Sequence, residues 1–235
     1  MADERLARDA APGRRGFVAR MFAGAAGLVA VDPTTRLLGV ATLAGSGDAP
    51  FISPGDDWMK ALTAPHRTVF DMSTHRNGKP LGQAKNFLDA WRDAFQTPEH
   101  EVNLVIGVHG DAAPLVLNDG LWERYTIGQQ YEVTDGGTKS AATRNVFTSA
   151  HAAAANLVTP EQSIEALQQR GVRFIVCMNT IGNAAKKLAT AGLGQPAEIQ
   201  AAILAGLLPG VITVPAMVVA LTQLQERGLK YEKVA

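Results

Sequence analysis

The sequence predicts an α/β fold: a three-layer α/β/α domain whose mostly parallel sheet has about five strands. Two features predict it. Segments typical of strands and of helices alternate along the chain from residue 66 onwards. In addition, EVNLVIGVHG (101–110) and VRFIVC (172–177) are nearly continuous apolar runs, as expected of parallel strands that are buried on both faces.

The individual elements follow from periodicity and from helix-start signals. Apolar residues recur three and four positions apart between 81 and 97, which predicts a helix packed on the sheet. Thr159, Pro160 and Gln162 predict another helix start, because Thr is a good N-cap, Pro suits the first turn and Gln completes a capping box. The predicted strands are 66–72, 101–110, 172–177, 211–214 and 230–234. The predicted helices are 57–62, 81–97, 112–125, 159–171, 182–191, 196–207 and 217–227.

The chain divides into three predicted parts. Residues 1–44 form an export signal and the start of a linker, 45–65 form the linker and a short helix, and 66–235 form the α/β domain. Within the domain, 126–158 has little periodicity, and a connection of this length is often a lid or an insertion.

The N-terminal segment GRRGFVARMFAGAAGLVAV (13–31) resembles a twin-arginine export signal. Arg14 and Arg15 precede Phe17, and an uncharged run follows that is too short to span a bilayer comfortably. The resemblance implies recognition of both arginines by the export machinery and a periplasmic location, with cleavage after Ala44 or at a site ending at Ala30. In the alternative, 29–42 folds as a hairpin around a turn at Asp32-Pro33, and the protein stays in the cytoplasm.

Charge and motifs exclude several function classes. Lys+Arg and Asp+Glu number 22 each, so no overall field attracts nucleic acid, and no nucleic-acid partner is expected. Phosphate-loop and dinucleotide-binding fingerprints and the Gly-x-Ser-x-Gly elbow are absent from the sequence. No zinc-like spacing of ligands is found either, so neither a cofactor nor a metal is expected.

Reactive and polar side chains collect where the predicted strands end. Ligands bind beyond the carboxyl ends of the strands in open α/β sheets. The residues predicted there are Asp71, Ser73, His75, Arg76 and Asn77 after the first strand, His109 and Gly110 after the second, Cys177, Asn179 and Thr180 after the third, and Pro215 after the fourth. Cys177 is the only cysteine, and a helix that follows it, capped by Asn179 or Thr180, would place the thiol near free N–H groups. The alternatives are a buried, inert cysteine and histidines that bond only to the backbone.

The C-terminal third resembles the DsrE/DsrF-like (YchN-like) family. Cys177-Met178-Asn179-Thr180 follows a buried strand, and Leu-Leu-Pro-Gly-Val (207–211), Val214-Pro215, a Leu-Gln-x-x-Gly helix end (224–228) and Tyr231 come in the same order as in that family. Upstream, the glycine-ended strand VIGVHG and Leu117-Asn118-Asp119 also fit, and Asn118 joins the expected binding residues.

The resemblance implies a flavodoxin-like domain that assembles as a homo-oligomer, a trimer or hexamer. Because some members of the family carry sulfur as a cysteine persulfide, we expect an exported sulfur carrier or sulfur-relay component. Cys177 would be its catalytic residue, His75, His109, Asn118, Asn179 and Thr180 its binding residues, and a sulfur-donor or sulfur-acceptor protein its partner. The alternative is a non-catalytic ligand-binding or assembly protein in which Cys177 is inert.

Overall fold

The computed structural model describes residues 57–234, so the expected export signal lies outside the described residues. The helices are α1 (Asp57–Lys60), α2 (Lys79–Asp93), α3 (Asp119–Arg124), α4 (Ile127–Gln130), α5 (Ala152–Ala155), α6 (Ile164–Gln169), α7 (Met178–Thr190), α8 (Pro196–Ala205) and α9 (Met217–Glu226). The strands are β1 (His66–Thr74), β2 (Val102–Asp111), β3 (Arg173–Cys177), β4 (Ile212–Val214) and β5 (Lys230–Val234).

The five strands form one sheet in the order β4-β3-β2-β1-β5, and every neighbouring pair is parallel. This confirms the predicted three-layer α/β/α class, with a sheet that is wholly rather than mostly parallel. The order differs from the 2-1-3-4-5 order of flavodoxin itself. β2, β3 and β4 follow β1 in order on one side of it, whereas β5 lies on its other side. Because crossovers between parallel strands are right-handed, the helices that connect β1 to β4 lie on one face of the sheet, and α9, which connects β4 to β5, lies on the opposite face.

The larger face of the sheet carries the main core. Side chains that alternate along the strands point to this face, including Met72, Ile106 and Phe174, and they pack against buried side chains of α2 and α7 such as Leu81 and Leu188. This apolar layer fixes the carboxyl ends of β1, β2 and β3 side by side.

The opposite face carries a smaller apolar layer, called here the α9-side cluster. It is formed by the alternate strand residues together with α1 and α9, and its buried members are Met59, Leu62, Val69, Val105, Ile175, Cys177, Val214, Met217, Ala220, Leu224 and Leu229. Gly107 lies on this face of β2, and a Cβ there would come within 2.7 Å of the Met217 sulfur. A glycine at this position therefore lets α9 lie close to the sheet.

The predicted lid or insertion, 126–158, is packed into the main core. Val133 and Phe147 are fully buried, and so is the polar side chain of Asn145. The Asn145 amide donates to the carbonyls of Leu115 (2.9 Å) and Leu117 (2.7 Å), so it ties this segment to the chain after β2.

Several boundaries differ from the predicted ones for local reasons. The predicted helix 112–125 is a 3-10 turn (Ala113–Val116) followed by α3, which begins at a new N-cap, Asn118. The capping box at Thr159 is confirmed, but it starts a 3-10 turn, and α6 begins after a second cap at Ser163. None of the helices within 57–234 is long and apolar enough to cross a membrane.

Candidate functional site

Cys177 is the last residue of β3 and also the N-cap of α7. Its backbone is extended (φ −90°, ψ 147°), and its sulfur accepts the backbone N–H of Thr180 at 3.3 Å. The Thr180 hydroxyl lies 3.0 Å from the same sulfur. The first turn of α7 therefore brings one backbone N–H and one hydroxyl to the sulfur, and both groups are able to donate a hydrogen bond.

The position of Cys177 corrects the predicted cap. We expected a helix from 182, capped by Asn179 or Thr180, whereas α7 begins at Met178 directly after the strand. Asn179 is exposed in the first turn, and Thr180 is buried against the sulfur. The thiol itself is 4% exposed and belongs to the α9-side cluster.

A hydrogen-bonded chain of three side chains runs across β5, β1 and β2 on the same face. Tyr231 donates its hydroxyl to Oδ2 of Asp71 at 2.7 Å, and Nε2 of His109 lies 2.5 Å from Oδ1 of Asp71. The Asp71 side chain is 12% exposed and the His109 side chain 30%, while Tyr231 is an exposed aromatic residue. The hydrogen bond to Asp71 raises the pKa of Tyr231, because ionised phenol could no longer donate to the carboxylate.

A bulge in β2 sets the direction of His109. Met72 pairs with Val108 and Thr74 pairs with Asp111, so His109 and Gly110 together oppose Ser73 alone. Gly110 has φ 56°, and a Cβ there would come within 2.9 Å of the Ser73 carbonyl oxygen. An extra residue of this kind changes the direction in which a strand side chain points, and bulges are common beside active sites.

Strand register brings the carboxyl ends of β2 and β3 together. Val108 and Val176 are the last paired residues of the two strands, and His109 and Cys177 follow them. Cys177 lies in the α9-side cluster, and His109 reaches the same face of the sheet through its contact with Asp71, whose neighbours in sequence face the main core. The thiol and the Asp71–His109 pair therefore lie at the same edge and on the same face of the sheet.

His75 lies apart from this group, on the other side of the sheet edge. Its Nδ1 accepts the N–H of Asn77 at 3.1 Å, and its Nε2–H donates to the Tyr131 carbonyl at 2.9 Å. Burial lowers the pKa of His75, and the bond to the Tyr131 carbonyl only partly opposes this. Both ring nitrogens are thus used by the backbone, and the ring is held neutral.

A cavity of about 420 Å³ adjoins His75, with Tyr131 and Lys187 in its wall. The Lys187 ammonium lies 3.8 Å from the centre of the Tyr131 ring and 3.8 Å from the Asp111 carboxylate. Burial raises the pKa of Tyr131 to about 12. The wall is polar and carries both signs of charge, so it has no net preference for anions or cations.

Asn118 lies at a third place. Its side chain accepts the N–H of Leu121 at 3.1 Å as the N-cap of α3, and its own N–H donates to the Gly206 carbonyl. The sequence-predicted residues therefore fall into three groups: Cys177, Thr180 and His109 together with exposed Asn179, then His75 at the cavity, and Asn118 at a helix cap.

The candidate site also contains two residues that were not predicted as binding residues. Asp71 was predicted only as a strand-end residue, and its charge inside an apolar strand was the available signal of a further role. Tyr231 contacts Asp71 across 160 positions of sequence, and only the strand order brings them together. Within 57–234, no group of three or more His, Cys, Asp and Glu side chains could hold a metal ion.

The fold and this edge define a parallel three-layer α/β protein with a thiol and an Asp–His pair at the carboxyl ends of its strands. No protein-family model, curated protein or solved structure matches the chain.

Proposed function

We propose that the protein is a DsrE-like sulfur carrier that holds sulfur as a persulfide on Cys177. The observation that carries the proposal is the placement of Cys177 at the start of α7: its sulfur accepts the Thr180 N–H and contacts the Thr180 hydroxyl. The Asp71–His109 pair is the second support, because it lies on the neighbouring strand and can move a proton.

The proposed reaction uses a polysulfide as donor. The Cys177 thiolate attacks the terminal sulfur of the polysulfide, a new S–S bond forms between that sulfur and Cys177, and the bond that joined it to the rest of the polysulfide breaks. A polysulfide shorter by one atom leaves with the electron pair of the broken bond. The thiol proton goes to a base and then to the products, so no further oxidant or reductant is consumed. A single cysteine is sufficient for this step.

The proposal requires the donor to reach the sulfur from the side of His109. Cys177 is covered within the α9-side cluster, and His109 and Tyr231 are partly open to solvent on the same face. This favours a donor of a few atoms over a bulky one.

Intact-mass spectrometry of the folded protein after incubation with polysulfide tests the proposal. We expect the wild type to gain the mass of one sulfur atom, removable by dithiothreitol, and the Cys177→Ser variant to gain nothing. An unmodified wild type, or the same adduct on Cys177→Ser, would contradict persulfide formation at this residue. Ser is the matched control because its hydroxyl can still cap α7.

The second candidate is a non-catalytic ligand-binding or assembly protein with an inert cysteine, and the burial of Cys177 favours it. The two candidates differ in thiol accessibility. Under the sulfur-carrier proposal, a small alkylating reagent such as iodoacetamide modifies Cys177 in the folded protein. Modification that occurs only in denaturant, together with an unmodified wild type in the polysulfide experiment, would establish the second candidate instead.

A homo-oligomer, a trimer or hexamer, is part of the proposal. Val218 and Val219 on α9 are 74% and 47% exposed, and adjacent exposed apolar side chains favour contact with another protein surface. Sedimentation equilibrium of the wild type and of Val218→Asp tests this: a trimer or hexamer that dissociates in the variant is expected, and a monomeric wild type would contradict it.

Export to the periplasm and a sulfur-donor or sulfur-acceptor protein complete the proposal. Changing both Arg14 and Arg15 to Lys should leave the protein in the cytoplasm of a bacterial host, as measured by fractionation. Unchanged export in this variant would remove the support for the twin-arginine signal.

A further inference from the structure

Asp71 is a largely buried carboxylate whose stabilisation comes from two side chains on the neighbouring strands. His109 on β2 and Tyr231 on β5 each bond one of its oxygens. Among residues 57–234, His109 is its only ion-pair partner. An ionised carboxylate only accepts hydrogen bonds, so both neighbours must donate to it.

This requirement fixes the tautomer of His109. Nε2 carries the proton that Asp71 accepts, so the lone pair of the neutral ring is on Nδ1. Nδ1 has no hydrogen-bond partner in the part of the chain that the structure describes, and the side chain is 30% exposed. His75 differs in this respect, because the backbone occupies both of its nitrogens.

We propose that Asp71, oriented by Tyr231, is a positioning residue that holds His109 as the Nε2–H tautomer, so that the free Nδ1 takes the proton of the Cys177 thiol. This inference rests on the proposed sulfur-carrier function. In the step written above, the S–H bond of Cys177 breaks and an N–H bond forms at Nδ1. The resulting imidazolium, paired with Asp71, then returns the proton to the departing polysulfide or to the new persulfide.

The groups that face His109 are few. Asp71 and Tyr231 face it from β1 and β5, and Lys233 follows Tyr231 on the same face of β5. Cys177 follows the Val108–Val176 pair at the end of β3, and α9 has no charged side chain before Glu226. On its own strand, Asp111 lies two residues on and 3.8 Å from Lys187, and its side chain is 71% exposed. Asp71 is therefore the charge that acts on the ring through a direct bond.

The first measurement is the tautomer of His109, read from imidazole nitrogen chemical shifts in labelled protein. The wild type should show the proton on Nε2. In Asp71→Asn the amide can donate to Nε2, so the proton should move to Nδ1. Tyr231→Phe keeps the carboxylate and should keep the Nε2–H form, and Asp111→Asn is the matched control that should change nothing.

The second measurement is the rate of sulfur uptake from polysulfide as a function of pH. Asp71→Asn should lower the rate at neutral pH by about 100-fold, a typical loss when acid–base catalysis is removed. Tyr231→Phe should lower it about 5-fold, as expected for one lost hydrogen bond of about 1 kcal/mol. Asp111→Asn should match the wild type.

The two measurements separate the inference from the proposed function. An Nε2–H tautomer that persists in Asp71→Asn would overturn the positioning role. Normal uptake by Asp71→Asn with a shifted tautomer would overturn the base role of His109 and leave the sulfur carrier intact. A wild type that takes up no sulfur overturns the proposed function and the base role with it. Should Asp71→Asn fail to fold, the uptake rate of Tyr231→Phe tests the positioning role: a loss of about 5-fold is expected, and a rate equal to that of the wild type would overturn it.

Discussion

Replacing Cys177 by Ala should destabilise the domain by an amount that can be worked from its two contacts. The sulfur caps α7, and loss of an N-cap acceptor costs about 1 kcal/mol. The sulfur also fills space in the α9-side cluster, and removing one buried heavy atom of this size costs about 1 kcal/mol more. We therefore expect the free energy of unfolding of Cys177→Ala to fall by about 2 kcal/mol.

Urea unfolding followed by circular dichroism measures this loss as a lower midpoint with an unchanged slope. Cys177→Ser keeps an oxygen acceptor for the Thr180 N–H and should lose less than Cys177→Ala. Asn179→Ala, at an exposed position in the same turn, should stay within about 0.5 kcal/mol of the wild type. The reasoning would be refuted if Cys177→Ala were as stable as Asn179→Ala, because neither the cap nor the burial would then matter.

Three further predictions concern groups outside the thiol site. The pKa of His75 is lowered in the folded protein, so on acidification the unfolded chain binds a proton at this residue first. The free energy of unfolding should therefore be fully retained above pH 6.5 and fall below it, by at most about 1.4 kcal/mol per pH unit. In urea titrations His75→Gln should reduce this pH dependence, whereas His100→Gln, at an exposed position, should not. Burial raises the pKa of Tyr131 to about 12, so its contribution to the free energy of unfolding should be lost between about pH 10 and 12. Tyr131→Phe should remove this pH dependence in alkaline urea titrations. Asn145→Ala leaves buried backbone groups unpaired and should lower the free energy of unfolding by about 3 kcal/mol or more; a loss below about 1 kcal/mol would contradict the role given to its amide.

The fold could be predicted from the sequence because its signals are local. The segments that form β2 and β3 are almost continuously apolar, whereas a strand with one exposed face would alternate apolar and polar residues. The apolar residues of α2 recur with a helical period. The start of α7 was predicted four residues late, since Met178, Asn179 and Thr180 resemble a loop that carries a cap. Their helical conformation follows instead from capping by the cysteine sulfur.

The candidate site could be predicted only in part, because contacts between distant strands depend on strand order. Cys177 and His109 were found as strand-end residues, and parallel pairing places strand ends together. Tyr231 reaches Asp71 only because β5 pairs with β1, which no local pattern indicates. The direction of the His75 side chain depends on a turn in which Arg76 and Asn77 have positive φ (37° and 51°). This turn could not be predicted from the residue types at the two positions.

The central claim is that Cys177 carries sulfane sulfur, and cyanolysis of the polysulfide-treated protein tests it most directly. Cyanide removes the outer sulfur of a persulfide as thiocyanate and leaves the thiol, so the product can be counted against protein. The account predicts one equivalent of thiocyanate per chain from the wild type and none from Cys177→Ser. No thiocyanate from the wild type, or equal amounts from both proteins, would contradict it.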